Sequence, residues 1–140
     1  MTLRGLLFAL LLSATSARAD TLKTEVDVRK FADSVMAKVG EGDIGAAFAI
    51  MKPYTIVPAT EFDAMTLNSK SARDQFGSRY GRSIGFEYVC ERKVGESLLR
   101  LTYMEKTEKH VLPWYFYFYK GSNGWVLNSF LWNDRMSDLF

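Results

Sequence analysis

The chain has 140 residues, with 18 Lys and Arg, 16 Asp and Glu, one His and one Cys. A single domain of this length buries about two-thirds of the surface of its unfolded chain, and one cysteine excludes an internal disulfide. One His and one Cys are too few for a typical zinc or iron site, so we expect no metal and no cofactor.

Residues 1–19 have the three parts of a secretory signal peptide. Arg4 gives a positive start, an apolar run follows, and Ala17 and Ala19 supply the small residues of an A-x-A cleavage site. The apolar run is about half of the ~20 residues that cross a bilayer. We predict cleavage after Ala19, one domain over 20–140, no later membrane span, and a periplasmic or secreted location. An uncleaved interfacial anchor is the alternative.

Cleavage also changes the charge. Arg4 and Arg18 leave with the signal peptide, and the remaining chain has 16 basic and 16 acidic residues. A nucleic-acid-binding protein needs a basic excess, so we expect no nucleic-acid partner.

Two helices are predicted at the start of the mature chain. Apolar residues at helical spacing predict the first over 28–39, with Thr24 and Asp27 as a capping box. Asp43 is expected to cap a short second helix, which Pro53 ends.

A third helix is predicted over about 60–79, with Thr60 as its cap. Its middle is polar, and a break in the helix there is the alternative.

From residue 82 onward, apolar residues recur at every second position, which is typical of strands. The predicted strands are Ser83–Lys93, Glu96–Thr107, Val111–Lys120 and Trp125–Asn133. We expect each turn between them to have an even number of residues. Neighbouring strands then pair with an odd sum of residue numbers, which fixes the side chains that share a face.

One face of this α+β sheet is predicted to form the core under the N-terminal helices. It holds Ile84, Phe86, Tyr88, Cys90, Leu99, Leu101, Tyr103, Leu112, Trp114, Phe116, Phe118, Trp125, Leu127 and Leu131. Cys90 is accordingly expected to be a small buried hydrophobe; an exposed thiol that pairs between chains is the alternative.

The opposite face is unusually aromatic. A sheet packed on one side should show polar residues on the other, yet the third and fourth strands offer large rings there. The candidate interface residues are Arg100, Tyr115, Tyr117, Phe130 and Trp132. Exposed apolar patches often mark interfaces, so we expect a homodimer or an envelope-protein partner. Coverage of these rings by the chain's own segment 134–140 is the alternative.

The order of helices followed by a four-stranded antiparallel sheet resembles the nuclear-transport-factor-two-like superfamily. The residues that carry the likeness are GEGDIGAAFAIM at 40–51 and NGWVLNSFLWND at 123–134. The resemblance implies a cone-shaped α+β fold, and the chain looks most like secreted bacterial members without an assigned function. Catalytic members combine an Asp or His base with Tyr or acid donors inside the cone. The residues assigned above to the core face include neither Asp nor His, which argues against that chemistry.

Two functions from different classes are compatible with these patterns. The favoured one is a non-catalytic binding or interaction module. The alternative is a protein that binds a small hydrophobic ligand, or acts as an isomerase or dehydratase, through a pocket lined by Tyr88, Tyr103 and Trp114. In that case the tyrosine hydroxyls would line a polar cavity; otherwise they bond to backbone or helix groups. His110 falls in a predicted turn, where we expect it to be solvated.

Overall fold

The computed structural model describes residues 18–140, and residues 1–17 of the predicted signal peptide lie outside that range. Three helices pack against a four-stranded antiparallel sheet, which confirms the α+β class. The helices are α1 (Glu25–Gly40), α2 (Ile44–Met51) and α3 (Ala59–Tyr80). The strands are β1 (Ser83–Val94), β2 (Leu98–Thr107), β3 (Val111–Gly121) and β4 (Gly124–Trp132), side by side in chain order. Short 3₁₀ helices occupy Lys52–Tyr54 and Met136–Leu139. Among the described residues, no helix is long and apolar enough to cross a membrane.

The caps of the first two helices are as predicted. The Thr24 hydroxyl accepts from the Asp27 N–H at 3.1 Å, and the Asp27 carboxylate accepts from the Thr24 N–H at 3.1 Å. Asp43 accepts from the N–H of Ala46 at 3.0 Å and starts α2. These bonds satisfy backbone donors that a helix start leaves free.

The third helix differs from its prediction. It begins at Ala59 behind Pro58, so Thr60 lies in the first turn and does not cap it. The predicted alternative of a break is also wrong, because α3 runs without interruption for 22 residues. Only Phe62 and Tyr80 are buried along it, and the polar residues Ser69 and Arg73 of its middle are half-buried against the sheet.

The central strand pair has the predicted register. Leu101 lies opposite Phe116 and Tyr103 opposite Trp114, with an odd sum of residue numbers throughout. Trp114 and Phe116 are fully buried in the core cluster that the helices cover. Tyr117 points the other way and is exposed. The face of the sheet on which each side chain lies is therefore predicted correctly for β2 and β3.

A bulge corrects the prediction for β1. Val94 pairs with Leu98 across a three-residue turn, in which Gly95 adopts a positive φ of 59°. The unpaired residue Val89 then shifts the register by one. Cys90, predicted in the core, consequently lies opposite Thr102 and is exposed.

A second irregularity lies at the start of β1. The register also shifts between Ser83 and Gly85, leaving Ile84 unpaired. Ile84 was predicted in the core and is exposed instead.

A further bulge reverses the end of β4. Phe118 pairs with Leu127 and Tyr117 with Ser129, so Asn128 is an extra residue. Phe130 therefore lies opposite Phe116, and Trp132 lies opposite Trp114. Both were predicted on the solvent side, and both pack against the core instead.

The same shift moves Leu131, which was predicted in the core, to the solvent side, where it is 49% exposed. On the helix side, the Trp132 ring stacks on Trp114 with centroids 5.8 Å apart and meets the Phe76 ring of α3 at 5.6 Å. The end of β4 thus faces α3 through its aromatic residues.

Substitution of two neighbouring residues tests this reversal. Trp132→Glu should lower the free energy of unfolding by about 3 kcal/mol, because it removes a packed ring and places a charge against the core. Leu131→Glu should change it by less than about 0.5 kcal/mol, because that side chain is exposed. Urea denaturation of dilute protein measures both. Equal losses, or a larger loss for Leu131→Glu, would contradict the assigned sides.

Candidate functional site: the outer face of the sheet

The side of the sheet turned away from the helices, here called the outer face, carries an exposed apolar surface. Its apolar residues are Val94, Leu98, Tyr117, Tyr119, Val126 and Leu131. Leu98 lies directly opposite Tyr119, and Tyr119 opposite Val126, so the side chains form a continuous row. Leu98 and Tyr119 are 48% and 47% exposed, far more than an apolar contact inside the protein would leave.

Two arginines lie within this apolar surface. Arg92 of β1 and Arg100 of β2 are directly opposite each other. Among residues 18–140, neither has an acidic partner within salt-bridge distance. The Nε of Arg100 is buried without a hydrogen-bond partner. Like charges at opposite positions destabilise a sheet, and an anion bound between the two guanidinium groups would reduce this repulsion.

A trough of about 270 Å³ runs between these residues. Its lining residues are Arg92, Val94, Leu98, Leu99, Arg100, Tyr117 and Phe118. Leu99 and Phe118 point into the core, so they contribute to the trough by their backbone. The trough is thus an apolar groove with two guanidinium groups.

The 3₁₀ helix Met136–Leu139, here called the ridge, packs against β3 near Tyr115. Tyr115 of β3 is only 9% exposed, and burial, together with the negative charge of Asp138, raises its pKa. Thr102, opposite Tyr115, is also buried, and its Oγ1 has no partner. Coverage by the chain's own segment, the predicted alternative, therefore reaches Tyr115 but leaves Tyr117 exposed.

The predicted interface residues divide into three groups. Arg100 and Tyr117 lie on the outer face and line the trough. Tyr115 lies on the same face at the ridge end. Phe130 and Trp132 point to the helices and are not available to a partner at this face. Their placement was wrong because the sequence gives no sign of the bulge at Asn128.

The predicted ligand-binding residues are packed against protein groups. The Tyr103 hydroxyl, fully buried, donates to Asp33 of α1 at 2.6 Å. Burial raises the pKa of Tyr103, and the Asp33 bond adds to this rise, so its phenol stays protonated. The Arg29 guanidinium lies 3.4 Å from the Tyr88 ring centroid and bonds to Asp33 at 3.0 Å. Tyr103 thus bonds to a helix residue, which was the alternative to a polar cavity.

Sequence reasoning missed a buried carboxylate. Glu105 of β2 is fully buried and accepts hydrogen bonds from Arg73 of α3 at both oxygens and from the Ser83 hydroxyl. Trp114 Nε1 donates to it as well, at 3.1 Å. The alternation that places Leu101 and Tyr103 inward continues to residue 105, so the pattern could have found it. With this set of donors, the Glu105 charge is held in a structural ion pair rather than left free as a base.

His110, predicted to be a solvated turn residue, lies between β2 and β3 but is half-buried and bonded within the protein. Its ring stacks on Tyr80 with centroids 4.3 Å apart, and its Nε2 lies 2.8 Å from the Asp134 carbonyl oxygen. The Tyr80 hydroxyl donates to the Asp134 carboxylate at 2.9 Å, which raises the pKa of Tyr80. Because Asp134 comes just before the ridge, these contacts fix where the ridge begins.

Within the described part of the chain, no three His, Cys, Asp or Glu side chains come together as a metal site. Comparison of the chain with known protein families, curated proteins and solved structures found no match. The outer face is therefore interpreted from its own chemistry.

The structural role of Glu105 has a matched test. Glu105→Gln should lower the free energy of unfolding by about 3 kcal/mol, because it leaves the Arg73 charge enclosed without its counter-ion. Glu108→Gln removes the same charge from an exposed pair with Arg82 and should cost less than about 1 kcal/mol. Chemical denaturation compares the two. A smaller loss for Glu105→Gln than for Glu108→Gln would show that the buried pair is not a main support.

Proposed function

We propose that this protein is a non-catalytic binding module that acts in the periplasm or outside the cell and self-associates through its outer face. The observation that carries the proposal is the continuous row of the exposed Leu98 and Tyr119 and the half-buried Val126, with the exposed Tyr117 beside it. Antiparallel sheets covered on one side usually expose polar residues on the other. Exposed apolar surface rich in tyrosine is typical of interfaces.

The interior supports the same choice. Trp114, Phe116 and Tyr103 are fully buried in the core, and the one fully buried carboxylate of the described residues, Glu105, bonds to several protein donors. An acid–base mechanism needs a group within reach of a substrate proton. The alternative is a small-molecule or isomerase-like pocket among Tyr88, Tyr103 and Trp114. It has less support because the two tyrosine rings pack on each other, Arg29 of α1 covers Tyr88, and Trp114 stacks between Phe116 and Trp132.

The resemblance to the nuclear-transport-factor-two-like superfamily forms part of this proposal. Three helices followed by a four-stranded antiparallel sheet are consistent with that family's cone-shaped fold. An envelope protein as the partner is the alternative to a second copy of the chain.

If the protein self-associates through the outer face, a charge introduced on that face should weaken the dimer, and a charge introduced elsewhere should not. The wild-type protein should show a concentration-dependent monomer–dimer equilibrium in sedimentation. Tyr117→Glu should weaken the dimer by about tenfold or more, because it places a carboxylate in an apolar contact. Leu67→Glu is the control, since Leu67 is 65% exposed on α3.

Both variants should keep the thermal stability of the wild type. A wild type that remains monomeric at every concentration would refute self-association. If Tyr117→Glu and Leu67→Glu form dimers of equal affinity, the outer face is not the site of self-association.

The proposed location depends on cleavage after Ala19. Its support in the fold is that the residues just beyond this point are tied to the domain. The Asp20 N–H donates to the Pro53 carbonyl at 2.8 Å, and Leu22 exchanges two backbone hydrogen bonds of 2.8 Å with Trp125. A mature chain that begins at Asp20 retains all of these contacts.

Expression of the full chain in a Gram-negative bacterium tests the location. Intact mass should show a periplasmic protein that begins at Asp20. Ala19→Phe should leave the uncleaved precursor, because cleavage requires a small residue at this position. Thr15→Phe, four residues upstream, is the control and should be processed normally. A wild-type protein that keeps residues 1–19 in the cytoplasm would contradict the assignment.

A further inference from the structure

The trough and the ridge have complementary chemistry. The trough combines apolar walls with the guanidinium groups of Arg92 and Arg100. The ridge offers Met136, which is 45% exposed, and the exposed carboxylate of Asp138. The ridge thus carries an anion next to an apolar side chain, and the trough carries cations next to an apolar groove.

The two arginines favour the binding of an anion in the trough. Arg92 and Arg100 repel each other across the strands, and Arg100 Nε is a buried donor without an acceptor. A buried donor without an acceptor destabilises a protein, and a carboxylate is the group that a guanidinium fork binds best. Among residues 18–140, only Arg100 and Thr102 have such unpartnered buried side-chain atoms, and both side chains lie on the outer face of β2.

The order of residues along β2 and β3 places the two features symmetrically. Successive outward pairs are Leu98–Tyr119, Arg100–Tyr117, Thr102–Tyr115 and Met104–Pro113. The trough occupies the first two pairs, and the ridge lies at the Tyr115 end. A two-fold axis that crosses the strands between the second and third pairs would bring the trough of one copy to the ridge of another. Such an isologous contact repeats each interaction twice.

We propose that the occupant of the trough is the ridge of a second copy of this chain, with Asp138 of each copy bound to Arg100 of the other. This inference rests on the proposed self-association and adds its geometry. Within one chain, Asp138 contacts Arg135 at 3.2 Å, but that pair is exposed and therefore weak. The second carboxylate oxygen remains free to bind a guanidinium, and Met136 enters the apolar part of the trough.

Charge reversal tests this contact. Arg100→Glu and Asp138→Arg should each raise the dimer dissociation constant by about tenfold or more, because each puts like charges together twice. The double variant restores opposite charges and should return within about threefold of wild type. Arg100→Glu should also be at least as stable to unfolding as wild type, because it replaces the Arg92–Arg100 repulsion by an attraction.

Arg135→Gln is the control, since it removes the exposed pair within the chain and keeps Asp138. Its dimer should be as tight as wild type or tighter. A double variant that stays monomeric, or single variants that dimerise normally, would overturn the ridge-in-trough contact. If Tyr117→Glu still abolishes the dimer in that case, self-association through the outer face stands and only its geometry is wrong. A wild-type monomer at all concentrations contradicts both and leaves the trough to a different anionic partner.

Discussion

Single-residue irregularities at Ile84 and Val89 in β1 and at Asn128 in β4 decide which side chains of the two edge strands face the helices. Side chains alternate along a strand with a period of two, so one extra residue exchanges the two faces for everything beyond it. At Asn128 the exchange sends Trp132 to the helices and Leu131 to solvent. The inward position of Trp132 and the outward position of Leu131 therefore have a common origin.

The orientation of Trp132 toward the helices is important for holding α3 in place, because α3 buries only two residues, Phe62 and Tyr80, along its 22-residue length. A helix with so little apolar surface needs other contacts to hold it on a sheet. Trp132 supplies one by donating from Nε1 to Ser69 at 3.1 Å. The Arg73–Glu105 pair supplies a second, and Trp114 joins them by stacking on Trp132 while donating to Glu105. The hydrogen bonds and the ion pair of Ser69, Arg73 and Glu105 thus hold α3 against the sheet.

Much of this arrangement could be predicted from the sequence, and the failures have physical causes. Helix caps and strand periods are local, so Thr24, Asp43 and the sides of β2 and β3 were predictable. The bulges were not, because neither Val89 nor Asn128 belongs to a turn motif. The runs that follow them, ERK at 91–93 and FLW at 130–132, do not alternate and so do not indicate which side chains face the core. Glu105 was predictable from alternation alone. Its pairing with Arg73 was not, because it joins residues 32 apart in the chain.

Nuclear Overhauser effects of the dilute, monomeric protein test the assignment of faces most directly. Contacts should appear between the Trp132 indole and the Phe76 ring, and between the Leu131 methyl groups and the Tyr115 ring across the outer face. Contacts of Leu131 with Phe48 or Phe62 in the core, together with Trp132 against Tyr115, would show that β4 has no bulge. The outward position of Leu131 and the contact of Trp132 with α3 would then both be wrong.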